Sequence, residues 1–194
     1  MRIKICGITR PEDARFAGEA GADAIGVVVF SGGVSRRVVS PERAREIFDS
    51  VGPFTARVAV SHTSSWEDLE QMLALRPDAI QISHPFVFRE DPGARVIRVI
   101  GRGDPLPEDC DAIIVDDSHG KGRHYDPAYA RTAAGQSRVP VILAGGLTVE
   151  NVGDAIRQIR PYAVDVASGV EVSPGIKDHG KIQAFIAACR NVLL

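Results

Sequence analysis

Short apolar runs recur along the chain, and most are continuous rather than alternating. RIKIC (2–6), AIGVVVF (24–30), TARVAVS (55–61), AIQI (79–82), RVIRVI (95–100), AIIVD (112–116), PVILA (140–144) and AVDVA (163–167) read as strands. Continuous runs rich in Val and Ile suit parallel strands covered on both faces. Helical stretches lie between many of them. Residues 11–20 open with Pro11 and two acids and stop at Gly21, as a helix start and stop should. Ser40-Pro41 opens 41–49, Ser64-Ser65 precedes 65–75, Thr148 precedes 148–159, and Asp178 precedes 178–192. Each supplies a side chain that can accept from the first amides of a helix.

This alternation predicts a parallel α/β fold. Most strand starts are spaced by roughly 20–30 residues, the size of one βα unit. Eight such strands favour a closed (β/α)8 TIM barrel over an open sheet. Residues 84–94 and 101–111 are short and rich in Pro, Gly and Asp, which predicts shortened fourth and fifth helices, broken or of a single turn. The 194 residues lie at the low end of the ~200–250 typical for such barrels. A compact barrel is expected, with residues 1–194 forming one domain.

Charge and composition narrow the function. A hydrophobic fraction of 44% supports a real core, and a formal charge of −2 lacks the basic excess of general nucleic-acid binders. A small anionic ligand stays compatible, because such a site needs only local donors. Cys6, Cys110 and Cys189 are far apart and odd in number, which argues for a reducing compartment rather than a disulfide framework. The five histidines have no H-x-x-x-H spacing, so no metal site is expected. MRIKICG has no apolar core of a signal peptide, and no apolar run approaches the ~20 residues of a membrane span. A cytoplasmic protein without membrane contact is expected.

Three segments carry candidate chemistry. In KICGITRPED (4–13), Cys6 ends a strand before a glycine and a helix start. It reads either as a base or nucleophile, since a nearby helix start or cation favours thiolate, or as a small buried hydrophobe. In DAIIVDDSHGKGRHYD (111–126), Asp116 ends an apolar strand. Its carboxyl would meet the barrel mouth while that of Asp117 points elsewhere, because strand side chains alternate. Asp116 reads equally as a general acid or as a loop residue capping amides. In LAGGL (143–147) and DVASGVEVSPGIKD (165–178), glycines follow the last two strands. Backbone amides there suit a phosphate, and barrels often bind phosphate at that place.

Read together, these segments resemble the phosphoribosylanthranilate isomerases. KICGITRPED, then AGADAIGV, LAGGLTxENV (143–152) and DVASGVEVSPGIKD match that family's motifs in order along almost the whole chain. The resemblance implies a (β/α)8 barrel and an Amadori rearrangement of N-(5′-phosphoribosyl)anthranilate to a 1-deoxyribulose in tryptophan biosynthesis. It implies Cys6 as general base and Asp116 as general acid, with no cofactor and no metal. It also implies Arg37 at the anthranilate carboxylate, Asp165 near the anthranilate amino group, and Gly145, Gly146, Ser168 and Gly169 around the phosphate. The expected partner is therefore a small phosphorylated substrate, handled by a monomer or homodimer.

The match has gaps. The second loop reads Ser35-Arg36-Arg37-Val38-Val39-Ser40, where the family has S-P-R-Y/F-V-S, so Arg36 stands beside Arg37. The fourth strand ends Gln81-Ile82-Ser83-His84 in place of Q-L-H-G, and His119-Gly120-Lys121-Gly122-Arg123 keeps only part of G-G-T-G-K. Two other readings of the residues stand. One is a related barrel isomerase for another phosphoribosyl-aminosugar. The other is a non-catalytic barrel that binds phosphate, against which the presence of both Cys6 and Asp116 speaks.

Overall fold

The computed structural model describes residues 1–33, 35–116 and 125–192. Asp117 and the 118–124 segment, with His119, Lys121, Arg123 and His124, lie outside the described residues. In chain order the elements are β1 (Arg2–Ile5), α1 (Pro11–Glu19), β2 (Ala24–Phe30), α2 (Pro41–Asp49), β3 (Ala56–Ser61), α3 (Trp66–Leu73), β4 (Ala79–Ile82), β5 (Arg95–Ile100), β6 (Ala112–Val115), α4 (Pro127–Gln136), β7 (Val141–Leu143), α5 (Val152–Ile159) and β8 (Ala163–Val166). A short 3-10 turn (Ser168–Val170), β9 (Glu171–Ser173), β10 (Ile176–Lys177) and α6 (His179–Arg190) follow. Strands β1 to β8 pair in parallel in sequence order and close into a barrel; β9 and β10 form a separate antiparallel hairpin.

The helices start where capping chemistry places them. The Ser40 hydroxyl accepts from the Arg43 amide at α2, Ser65 from Asp68 at α3, and Asp178 from Lys181 at α6. Helix α5 begins later than the sequence pattern suggested. The Asn151 carboxamide accepts from the Thr148 amide and donates to the Gly146 carbonyl, so 148–151 is a turn that closes the glycine loop. Helix α4 has no strong apolar periodicity and was not anticipated. The Asp126 side chain accepts from the amides of Ala128 and Tyr129, and Pro127 occupies the first turn.

Strand alternation divides the interior into two cores. Ile3, Ile5, Ile25, Val27, Ile80 and Val164 belong to the large cluster beneath the helices. Val28, Val58, Val60, Ile97, Ile114 and Ile142 fill the inside of the barrel. Cys6, Ala144 and Ala167 continue that inner face one residue past their strands. The ladder holds the ends in line: the Cys6 amide donates to the Val166 carbonyl at 2.8 Å and the Asp116 amide to Ile100 at 3.0 Å. Side chains at these positions therefore keep the inward parity of Lys4 and Ile114.

Between β4 and β5, and between β5 and β6, the shortening goes further than a broken turn: neither connection contains a helix. One buried residue does much of their work. Arg98 points outward from β5, donates to the carbonyls of His84 at 3.1 Å and Phe86 at 2.5 Å, and pairs with Asp109 at 3.0 Å. Phe86, buried under the exposed edge of Trp66 at 4.8 Å between ring centres, covers the strands there. A fork of five donors suits this task, because it ties two carbonyls and a carboxylate at once. Arg98→Ala should cost about 3 kcal/mol, the scale of buried hydrogen bonds to a charged group. In a chain of this size that is a Tm lower by roughly 6–12 °C, read by calorimetry. An unchanged Tm would mean that the helix-free wall is held by its apolar contacts alone.

Candidate active site

The inside of the barrel is not uniformly apolar. Lys4 and Asp165 are register partners on β1 and β8, and their charged ends meet at 2.7 Å while both are almost fully buried. The Lys4 ammonium also donates across the lumen to the Gln81 carboxamide of β4 at 2.9 Å. Burial alone would lower the Lys4 ammonium, but Asp165, and then Cys6, outweigh it and hold it above its ordinary range.

Cys6 sits one residue beyond β1, buried, above this pair. Gly26 of β2 makes the space: a β-carbon there would stand 2.8 Å from the Cys6 sulfur and 3.0 Å from the Lys4 ammonium. Burial pushes the Cys6 thiol up, helped by the Asp165 charge, while Lys4 and Lys177 pull it down. Asp116, half-buried, comes from the end of β6 and is close enough to Asp165 for its charge to act there. Cys6, Asp116 and Asp165 thus share the inward face at the C-terminal end of the barrel, where barrel enzymes place their chemistry.

The β9–β10 hairpin organises the rim. The Lys177 ammonium, fully buried, donates to the carbonyls of Cys6 at 2.6 Å and Ala167 at 3.1 Å and pairs with Glu171 at 2.9 Å. It binds the loop after β1 to the loop after β8. Thr9 donates to the Gly175 carbonyl at 2.6 Å, and the Lys177 amide donates to Asp13. Asp13 also takes both Arg10 and His179.

Arg37 reaches over Gly7, whose φ of +71° and missing side chain let the arginine stem pass; a β-carbon there would strike the Arg37 Cδ. Its guanidinium forms a bidentate pair with Glu171, Nε to Oε1 at 2.8 Å and Nη2 to Oε2 at 2.7 Å. Arg36 is exposed. The glycine loops after β7 and β8 touch: a β-carbon on Gly169 would collide with the Leu147 carbonyl oxygen. Gly145 and Gly146 both have positive φ, +91° and +66°. Gly145, Gly146, Ser168 and Gly169 therefore line one seam beside β8.

Sequence reasoning missed Lys4, Gln81, Glu171 and Lys177. For Lys4 a signal was present, because strand alternation puts it on the same face as Cys6 two residues later. For Glu171 the signal was absent: Arg37 lies 134 residues away. Among the described residues no cluster of His, Cys, Asp and Glu could hold a metal ion, and no helix is long and apolar enough to cross a membrane.

An eight-stranded parallel barrel with a thiol and two carboxyls at its C-terminal mouth, and paired glycine loops after its last two strands, defines a (β/α)8-barrel enzyme. The model of the N-(5′-phosphoribosyl)anthranilate (PRA) isomerase family matches residues 104–188. An N-(5′-phosphoribosyl)anthranilate isomerase of Methanoregula boonei is 68% identical over 98% of this chain and 97% of its own. The phosphoribosyl anthranilate isomerase of Thermus thermophilus superposes with a TM-score of 0.86 at 35% identity, covering 100% of both chains. A further isomerase structure, in complex with reduced 1-(o-carboxyphenylamino)-1-deoxyribulose 5-phosphate, has a TM-score of 0.80 at 33% identity over 98% of both chains. The chain belongs to the N-(5′-phosphoribosyl)anthranilate isomerase family.

The rim's carboxylates also contribute to the acid stability. Burial alone would raise Asp13, but Arg10, His179 and the Lys177 amide outweigh it and hold it below the usual range. Arg37 and Lys177 do the same for buried Glu171. A carboxyl lowered on folding contributes stability that is present above its unfolded value of about 4 and lost as pH falls through the folded value. The Tm should be level from about pH 6 to 5 and fall steeply below about pH 4, with a shallower fall in Glu171→Gln. A Tm that holds or rises on acidification would contradict this assignment.

Proposed function

We propose that this protein isomerises N-(5′-phosphoribosyl)anthranilate to 1-(2-carboxyphenylamino)-1-deoxyribulose 5-phosphate, the Amadori step of tryptophan biosynthesis, with Cys6 as base and Asp116 as acid. The observation that carries the reading is the shared inward face: Cys6 from β1 and Asp116 from β6 look into one mouth, with Asp165 of β8 between their strands. The assignment includes a single domain over residues 1–194, a cytoplasmic setting and a monomer or homodimer.

The chemistry needs two proton transfers at different atoms. Asp116, protonated, gives its proton to the ribose ring oxygen as the C1′–O bond breaks, and the anilino nitrogen lone pair forms the C1′=N bond. The Cys6 thiolate then takes the C2′ proton; the C–H electron pair forms C1′=C2′ and the C1′=N pair returns to nitrogen. The enol so made becomes the ketone by losing the C2′ hydroxyl proton and gaining one at C1′, so the reaction is neutral in protons. One group opens the ring and the other removes the carbon-bound proton, a division that general acid–base catalysis requires.

The remaining residues position the substrate. The seam of Gly145, Gly146, Ser168 and Gly169 takes the phosphate with backbone amides, the mode glycine loops permit. Asp165 faces the anthranilate amino group. Arg37 takes the anthranilate carboxylate. Glu171 uses two of its five guanidinium donors, so the substrate meets the others. The exposed Arg36 is left to solvent.

Two experiments test these roles. Cys6→Ala and Asp116→Asn should stay folded and each lose about 10²–10⁴-fold in kcat, followed by the decay of substrate fluorescence with fresh phosphoribosylanthranilate. A folded Cys6→Ala variant that turns over normally would remove the base assignment. Arg37→Ala should lose about 1.5–3 kcal/mol in kcat/KM, the scale of hydrogen bonds to a charged group. Arg36→Ala should change only the salt dependence of binding. The reverse pattern would mean that the loop presents Arg36 to the substrate.

A further inference from the structure

We propose that Lys4 is the positioning residue for the Cys6 base: its ammonium, fixed by Asp165 and Gln81, is the counter-charge against which the buried thiolate forms. The proposal rests on Cys6 being the base. It answers a problem that this base creates, since a thiolate taken out of water is costly unless a cation stands beside it.

Geometry supplies the cation. Lys4 and Cys6 share the inward face of β1, and both crowd the point where a Gly26 side chain would begin. Both atoms lie about 3 Å from that point, which keeps them within the ~6 Å over which an opposite charge favours ionisation. Their interaction acts in both directions, raising the lysine and lowering the cysteine. Lys4 cannot swing away. One bond runs along the sheet to Asp165 at 2.7 Å and a second crosses the lumen to Gln81 at 2.9 Å.

The charges around Cys6 support the same conclusion. Lys4 faces it from β1, Asp165 from β8, Lys177 from β10 and Arg37 from the loop after β2. Glu171 of β9 pairs with both Lys177 and Arg37, and Asp116 acts on Asp165 from beyond β6. With Asp116 protonated, as the acid must be on arrival of substrate, three cations face two carboxylates. The thiolate is the third anion, and its formation leaves the buried cluster neutral. When Cys6 takes the substrate proton, the Lys4–Asp165 pair remains satisfied by itself. The cluster therefore tolerates both protonation states of the sulfur, as a base must.

The direct measurement is the pH titration of the Cys6 thiolate in the free protein, by ultraviolet difference absorbance against the matching Cys6→Ala protein. This cancels Cys110, Cys189 and the tyrosines. Lys4→Met should move the midpoint about one to two pH units upward. Its kcat at neutral pH should fall about 10–100-fold with a smaller change in KM. Lys4→Arg should restore the midpoint to within about half a unit. Asp165→Asn, which keeps an acceptor for Lys4 and removes the opposing charge, should move the midpoint downward. If Lys4→Met does not fold, Lys4→Gln, which removes the charge and keeps a donor for Asp165 and Gln81, is read in its place. An unmoved midpoint in the folded Lys4 variant overturns the proposal. If instead the midpoints move as expected while Cys6→Ala remains active, the base assignment fails and the Lys4–Cys6 coupling stands.

Discussion

An ammonium and a carboxylate, 2.7 Å apart, occupy the inside of a barrel that is filled mostly by valine, isoleucine and alanine. Two buried charges are tolerated there only as a pair with further hydrogen bonds, and removing one partner of such a pair costs about 3–5 kcal/mol. The fold meets that condition at several points. Lys4 and Asp165 are brought together by the register that closes β1 on β8. Gln81 supplies the second acceptor from the far wall, and Gly26 leaves room for the lysine head and the neighbouring sulfur. Closure of the sheet and the electrostatics of the mouth are thus one constraint. A shift in register at the β8–β1 seam would separate the charges and leave both in an apolar interior.

A second cation performs the complementary task at the rim. Lys177 bonds to main-chain oxygens on two different loops and to Glu171, which in turn aligns Arg37. The order of dependence runs from hairpin to lysine, from lysine to glutamate, and from glutamate to arginine. The arginine is therefore held in place before any ligand arrives, and a pre-aligned fork loses less freedom on binding a carboxylate. Its stem lies on Gly7, next to Cys6, so the guanidinium and the thiol are fixed to the same short turn.

The barrel was legible because its strands are continuous Val- and Ile-rich runs, and because Ser40, Ser65 and Asp178 mark helix starts by a local mechanism. Helix α4 was not, since PAYARTAAGQ has little apolar periodicity, although Asp126-Pro127 carries the same start signal. The hairpin of three- and two-residue strands is too short for a period to register. Cys6 and Asp116 were readable as candidates because each ends an apolar strand, while their roles, like that of Arg37, came from the family resemblance. Their supporting residues were not. Glu171 and Lys177 meet Arg37 and Cys6 only through long-range closure, which local sequence does not encode. Lys4 differs: its parity with Cys6 was readable, and only the habit of assigning lysine to the surface concealed it.

The wall of the barrel is uneven. Around the ring, β4 and β5 lie opposite β8 and β1, and it is between β4, β5 and β6 that the connections carry no helix. There the outer layer is a loop pinned by Arg98 and a few aromatic rings. Opposite, α1 and α6 cover β1 and β2. Local opening follows the least-packed elements, so transient exposure of amides should concentrate on the β4–β5 side. Thermal breathing of the barrel and the seam that carries Cys6, Lys4 and Asp165 are thereby segregated to opposite sides of the ring. A chain shortened in this way can lose layers without loosening the buried pair at the β8–β1 seam.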